Sequence, residues 1–217
     1  KAGSIGLPIP DVGVSVQDES GGTLGVGEVG EICVRGGNVM MGYWNNPEAT
    51  RAMIDPDGWL NTGDTVGISD TGHIYITGRI KEIIVMSNGE KVPPADMEQA
   101  ILRDRLFDQV MVYGEGRPYL VALAVLNPEA WLQFAKETGV RGDMPEALTD
   151  SRVQAGVLQR ISDNLGAFPG YARVHRVLLL QEPWSIDNGL LTPTLKFKRA
   201  KVVEKYADQI KELYDGH

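Results

Sequence analysis

The chain has 217 residues, 42% of them hydrophobic and 23% charged, which gives one large or two small globular domains and excludes a disordered or collagen-like chain. Its longest apolar run, residues 120–126, is strand-length and well short of the roughly 20 residues that cross a bilayer, so no transmembrane segment is expected. A net charge of −8 without a clustered basic face argues against nucleic acid as a partner, and a single cysteine, Cys33, cannot form an internal disulfide, so a reducing, cytoplasmic setting is the default.

The chain opens on Lys1 rather than Met, and KAGSIGLPIPDVGVSV is turn and strand material rather than a targeting signal, so a fragment or processed chain is expected. Residues 1–78 are rich in Gly and Pro, with short β-like runs at 12–16, 31–35 and 73–77 separated by the turn signals ESGG, PDG and DTG. They read as a small β-sheet or barrel-like unit, with Met40, Met41 and Trp44 as packing residues beneath it. One helix is expected after Asn46, which can cap it, with Pro47 in its first turn. After Gly78 helices and strands alternate: IKEIIVM, a helix over about 94–103, QVMVYG, YLVALAVL, and a helix over about 128–138. A helix over about 150–165, the strand VHRVLLL and an amphipathic helix over about 198–213 complete a small α+β domain. The loop SIDNGLLTPTLKFK before the last helix is expected to be exposed and mobile, which suits function better than packing.

Chemistry concentrates in two stretches. DGWLNTGD, residues 57–64, places Asp64 after a Gly-containing turn, and DTGHIYITGR, residues 70–79, brings Arg79 to the end of a paired strand. A carboxylate there can accept hydrogen bonds from the two vicinal hydroxyls of a ribose, and a guanidinium can donate to the same sugar or to a phosphate. Taken singly, either residue is an ordinary turn or strand-end feature. His73, His175 and His217 have no metal-ligand spacing with one another or with Cys33, so no metal site is expected.

The run GEVGEICVRGGNVMMGYWNNPEAT, then DGWLNTGD, then GHIYITGRIKEIIVMSNGEKVPPADME, resembles the adenylate-forming superfamily of acyl-CoA synthetases, peptide-synthetase adenylation domains and luciferases. SNGEKVPP together with LTPTLKFKR is most similar to its long-chain fatty acid–CoA ligase branch. The resemblance covers nearly the whole chain. It implies residues 1–80 as the β-rich, barrel-like end of a large N-terminal adenylation domain, and residues 81–217 as a small mobile α+β C-terminal domain. It implies Asp64 and Arg79 as ligands of the ATP ribose, and Ile76 against the adenine, although an alternating strand makes Ile76 equally a core residue. Lys81 matches the hinge about which the small domain rotates. The loop Ser87, Asn88, Gly89, Glu90, Lys91 matches the one that enters the site for the thioester step, with Gly89 allowing close approach of a pantetheine arm.

In LTPTLKFKR, residues 191–199, Pro193, Thr194, Leu195 and Lys196 satisfy the superfamily's Pro-Ser/Thr-x-Lys pattern, which makes Lys196 the implied catalytic lysine, also in contact with ATP. Lys198, two residues later, is its rival and could instead start the terminal helix as a solvated charge. The implied substrates are fatty acid, ATP and CoA, with Mg²⁺ held mainly outside this chain. The superfamily's Gly/Ser/Thr-rich phosphate loop and its Tyr-Gly-x-Thr-Glu block are absent from the 217 residues, so the isolated chain is expected to be inactive. Transfer to a carrier-protein thiol and a degenerate, non-catalytic binding module stay open as alternatives. Acyl chain length, oligomeric state and peripheral membrane association are not set by these residues.

Overall fold

The computed structural model describes residues 1–18 and 20–215, with the backbone alone at Lys81, so His217 lies outside the described residues. The chain forms two compact units, Lys1–Ile83 and Ile84–His217, and is of mixed α+β class.

In the first unit, β1 (Gly13–Gln17), β2 (Val29–Arg35), β3 (Leu60–Ile68) and β4 (Ile74–Arg79) pair antiparallel in sequence order. Period-two alternation sends Val14, Val16, Ile32, Val34, Val66, Ile68 and Ile74 into one small core. Between β2 and β3 lies α1 (Pro47–Met53), started as its sequence indicates: the Asn46 side chain accepts from the Ala49 amide at 3.0 Å, and Pro47 holds the first position. The sheet is an open meander rather than a barrel, since β1 and β4 do not pair with each other among the described residues. Met41 and Trp44 are not packing residues. They lie in the irregular segment before α1, off the pleated faces, and are fully exposed. Cys33 is fully buried, with its thiol donating to Asn61 Oδ1 at 3.3 Å. Burial, then the nearby Glu31 and Asp55 carboxylates, push the thiol up to about 11, so it stays protonated and unreactive at neutral pH.

The second unit is built on a three-stranded sheet of order β7 (Phe107–Tyr113), β8 (Leu120–Leu126), β9 (Val174–Leu180). β7 runs antiparallel to β8, and β9 parallel to it. Every residue of β8 is buried, because both faces of the sheet are covered; this is why LVALAVL reads as a continuous apolar run instead of an alternating one. On one face, Val110, Val112, Ala122 and Ala124 pack with α2 (Pro94–Ile101), α3 (Pro128–Glu137) and α4 (Ser151–Asn164). Asn127 and Asp150 cap α3 and α4 with their side chains. A two-residue-strand hairpin, β5 (Ile84–Val85) and β6 (Lys91–Val92), joins the same core through Ile84, Met86 and Val92. On the other face, Met111, Leu123 and Val125 pack with Trp184, Leu190 and Leu191 and with the C-terminal helices.

The terminal helix of the sequence pattern is two helices, α5 (Arg199–Lys205) and α6 (Ala207–Tyr214), broken at Tyr206. Val202, Tyr206 and Ile210 recur every four residues, a spacing that drifts about 40° per step around a regular helix. All three lie in one core, within the width of an ordinary apolar helix stripe.

The outer edge of β7 is closed by side chains. Glu98 on α2 accepts from the Val112 amide at 2.7 Å, and Arg199 at the start of α5 donates to the Val112 carbonyl at 3.3 Å. The same Arg199 Nη2 bonds both Glu98 oxygens, at 2.7 and 2.6 Å. Glu98 is buried, so removing it leaves the Val112 amide without its acceptor and Arg199 Nη2 without its carboxylate. Glu98→Ala should cost about 3–5 kcal/mol in the unfolding of the second unit. Urea denaturation followed by tryptophan fluorescence measures it, and a loss below about 1 kcal/mol, the scale of a surface pair, would contradict this role.

Candidate active site

Asp64 sits within β3, beside a bulge, rather than at a turn. Three residues, Thr62, Gly63 and Asp64, stand between the β2 pairings Asn61–Cys33 and Thr65–Glu31, where β2 spends only Ile32. Gly63 takes φ +74°, a conformation glycine adopts without penalty. The bulge is held by side chains. Glu31 Oε1 accepts from the Gly63 amide at 2.8 Å, while Thr62 Oγ1 donates to the Ile32 carbonyl at 2.8 Å and accepts from the Asp64 amide at 3.1 Å. Arg79 is paired directly opposite Asp64, and its Nε lies 2.9 Å from Asp64 Oδ1. With side chains 57% and 33% exposed, the pair adds on the order of 0–1 kcal/mol to stability. What it does is orient: Arg79 occupies one carboxylate oxygen, and Oδ2 makes no other hydrogen bond among the described residues. Ile76, on the strand of Arg79, is 51% exposed and is not a member of the Val16–Val66 cluster, so the core alternative for it is overturned.

The Lys81 backbone lies in a 3-10 turn, Ile80–Glu82, directly before the division between the units; the side chain is outside the description. Ser87, Gly89 and Lys91 belong to the β5–β6 hairpin. The Met86 carbonyl accepts from the Gly89 amide at 2.9 Å, the Met86 amide donates to the Glu90 carbonyl at 2.9 Å, and Gly89 has φ +86°. Met86 is buried beneath, so Ser87 to Lys91 stand exposed on an anchored base, with the Ser87 amide donating to the Arg117 carbonyl at 3.0 Å.

The Lys196 loop repeats that geometry. The Thr192 carbonyl accepts from the Leu195 amide at 2.9 Å, the Thr192 amide donates to the Lys196 carbonyl at 2.9 Å, and Leu195 has φ +61°. Each is a three-residue hairpin loop, a type I turn closed by one left-handed residue. In one that residue is glycine, in the other leucine. The expectation of a wholly exposed loop therefore needs correcting. Leu190 and Leu191 are buried and Asn188 hydrogen-bonds Ser185 and Pro183, so the exposed parts are residues 186–188, the tip at 193–196 and Lys198. Lys196 is at that tip, and Lys198 precedes α5 as its N-cap residue, its amide donating to the Leu190 carbonyl at 2.9 Å. Both lysines are exposed, with Phe197 turned inward between them, and neither makes an ion pair among the described residues. The Asp64–Arg79 pair thus belongs to the first unit and the two hairpins to the second, on opposite faces of its sheet.

Comparison with known proteins decides the family. The family model described as the AMP-binding enzyme C-terminal domain matches residues 81–217, and that described as AMP-binding enzyme matches residues 1–44. The chain belongs to the AMP-binding enzymes, the adenylate-forming superfamily. It is 36% identical over 219 residues to long-chain-fatty-acid–CoA ligase 5 of Rattus norvegicus, covering 99% of this chain and 32% of that protein. It is 34% identical over 218 residues to the long-chain-fatty-acid–CoA ligase FadD15 of Mycobacterium tuberculosis (strain ATCC 25618 / H37Rv), covering 99% of this chain and 34% of that one. Among solved structures it is similar to the A domain of a carboxylic acid reductase from Segniliparus rugosus in complex with AMP and a carboxylic acid. That match has a TM-score of 0.77 and 26% identity, over 94% of this chain and 32% of the other. The chain spans about a third of the length of the relatives it matches.

Within this AMP-binding enzyme chain, no group of three or more His, Cys, Asp or Glu residues could hold a metal ion among the described residues. No described helix is long and apolar enough to cross a membrane. Four residues that shape the site escaped the sequence reading: Glu31, which props the Asp64 bulge, Glu98 and Arg199, which close the β7 edge, and Gln109, which bonds Trp184 on both sides. Arg199 is part of the quoted LTPTLKFKR run, but the other three lie far in sequence from what they support.

A non-glycine residue in the left-handed region costs about 1–3 kcal/mol, and the Leu195 side chain, 68% exposed, recovers little of that by burial. Leu195→Gly should therefore raise the stability of the second unit by about 1 kcal/mol after the extra entropy of unfolded glycine is subtracted. A thermal or urea melt checks this, and a destabilised variant would show that the leucine side chain contributes packing that outweighs its strain.

Proposed function

We propose that this chain is the C-terminal portion of an ATP-dependent long-chain fatty acid–CoA ligase, working in two half-reactions. In the first, a fatty-acid carboxylate oxygen attacks the α-phosphorus of ATP; the new acyl C–O–P linkage forms, the bond between the α-phosphorus and the bridging oxygen breaks, and pyrophosphate leaves. In the second, the CoA thiolate attacks the acyl carbon, the acyl C–O bond breaks, and AMP leaves. Asp64 would accept from the ribose hydroxyls, steadied by Arg79, with Ile76 offering an exposed apolar contact to the adenine. Lys196 would bridge the attacking carboxylate and the α-phosphate, offsetting charge that concentrates as the bond forms. The Ser87–Lys91 hairpin would serve thioester formation, with Lys81 as the pivot that exchanges the two arrangements.

The observation that supports this most is the presentation of Lys196: a solvated ammonium with no ion-pair partner among the described residues, at the tip of a hairpin whose base is buried. The ligand set in the chain is partial. Asp64, Arg79 and Lys196 supply few of the donors that a triphosphate needs, so the 217 residues alone should bind nucleotide weakly and not turn over. A second acceptor has a specific support, since the chain is 35% identical to a chloroplastic long-chain-fatty-acid–[acyl-carrier-protein] ligase of Arabidopsis thaliana. Assaying the complete protein with CoA and with a phosphopantetheinylated carrier separates the two.

In the complete protein, Lys196→Ala should lower acyl-adenylate formation, read as pyrophosphate release, by at least about a hundredfold while sparing thioester formation from supplied acyl adenylate. Lys198→Ala should leave both within a few-fold. Adenylation at the normal rate by Lys196→Ala, or its loss in Lys198→Ala instead, would overturn the assignment.

A further inference from the structure

The Lys196 hairpin carries a strained residue at its tip, and strain of that kind persists only where surrounding contacts over-determine it. Within the loop, the hydrogen bonds of Thr192 to Leu195 and Lys196 are solvent-exposed at the tip and contribute little alone. The buried side of the hairpin is Phe197, bridged to Leu191 across the hairpin. The Phe197 ring stands edge-on to Trp184, with centroids 5.2 Å apart and planes at 88°. Trp184 is 2% exposed, and its Nε1 makes no hydrogen bond, so the indole is not held by its own polar atom. It is held by its backbone.

That backbone is gripped by one side chain from β7. Gln109 Nε2 donates to the Trp184 carbonyl at 2.9 Å, and the Trp184 amide donates to Gln109 Oε1 at 2.7 Å. A glutamine amide here reproduces the two-way exchange of a strand pair, and it does so for a residue that belongs to no strand. Gln109 lies two positions before Met111 on the same pleated face, so the grip is referred directly to the central sheet. The path is short and contiguous: sheet, Gln109 amide, Trp184 backbone and ring, Phe197 ring, then the adjacent Lys196.

We propose that Gln109 is a positioning residue for Lys196, fixing the hairpin against the sheet through Trp184 and Phe197. The catalytic consequence rests on the reading that Lys196 serves acyl-adenylate formation; the structural one does not. Gln109→Leu keeps the side-chain volume and removes both hydrogen bonds, and Phe197→Leu removes the ring at the other end of the path.

The test has two arms. In the 217-residue chain, amide hydrogen exchange at Thr192, Lys196 and Lys198 should quicken by about tenfold or more in Gln109→Leu, while the β8 amides of Ala122 and Leu123 keep their protection. Phe197→Leu should do the same, and the double variant should add little, because both act through one path. In the complete protein, Gln109→Leu should lower kcat for adenylate formation by about tenfold or more with KM for ATP little changed, and leave thioester formation from supplied acyl adenylate intact. Unchanged exchange at the hairpin, equal loss of protection across β8, or additive effects of the two variants would overturn the proposal. So would normal adenylation by Gln109→Leu beside a defective Lys196→Ala. Normal adenylation by Lys196→Ala would instead overturn the catalytic reading, leaving the exchange arm to decide the positioning of the hairpin.

Discussion

The buried Glu98–Arg199 pair, with Glu98 accepting from the Val112 amide and Arg199 donating to the Val112 carbonyl, is the constraint on which the second unit turns. An edge strand with unpaired amides and carbonyls invites wrong pairing. Here the edge is closed at Val112 by a carboxylate from one side of the sheet and a guanidinium from the other. The pair therefore fixes α2, which follows the β5–β6 hairpin, relative to α5, which follows the Lys196 hairpin. A buried ion pair is weak evidence for stability as such, because desolvation offsets its attraction, but the loss of one partner is costly. Its value here is geometric, since it ties together the two hairpin segments that pack on opposite faces of one sheet.

Both segments use the same hairpin. A type I turn closed by a left-handed residue projects its tip from a buried base, Met86 in one and Leu191 with Phe197 in the other. The sequence solutions differ: Gly89 fits its position without strain, whereas Leu195 does not, and the second hairpin has the stronger anchorage. On the proposed function, the strained hairpin carries the lysine that must meet developing charge in a fixed position, and the relaxed one admits a flexible thiol arm. That division follows the different demands of the two steps, since charge stabilisation depends on preorganised position more than access does.

Much of this was legible in the residues. Asn46-Pro47 announced α1, the helices expected over about 128–138 and 150–165 are α3 and α4, and the blocks around Asp64, Arg79 and Lys196 carried the family, which the family models and relatives show. The α+β class followed from the change of texture after Gly78. The misreadings have particular causes. Around Tyr206 the sequence has no Gly or Pro to mark the break between α5 and α6. Met41 and Trp44 are apolar but lie on no strand face, so hydrophobicity alone misled. The loop before α5 looked mobile from its Gly, Asn and Pro content, yet Leu190 and Leu191 within it are buried. The supporting residues Glu98 and Gln109 were illegible for a plainer reason. Their partners are 101 and 75 positions away, and no local pattern encodes a contact at that range.

On the proposed function, the two hairpins serve different half-reactions. The most direct test of this division is a single-turnover rapid-quench experiment on the complete protein carrying Gly89→Leu, a residue the matching position of the other hairpin already accommodates. Mixed with fatty acid, ATP and CoA, this variant should form acyl adenylate in a burst like that of the unaltered protein and convert it to thioester at least about tenfold more slowly, so that the adenylate accumulates. Equal slowing of both steps, or thioester formation at the normal rate, would contradict it.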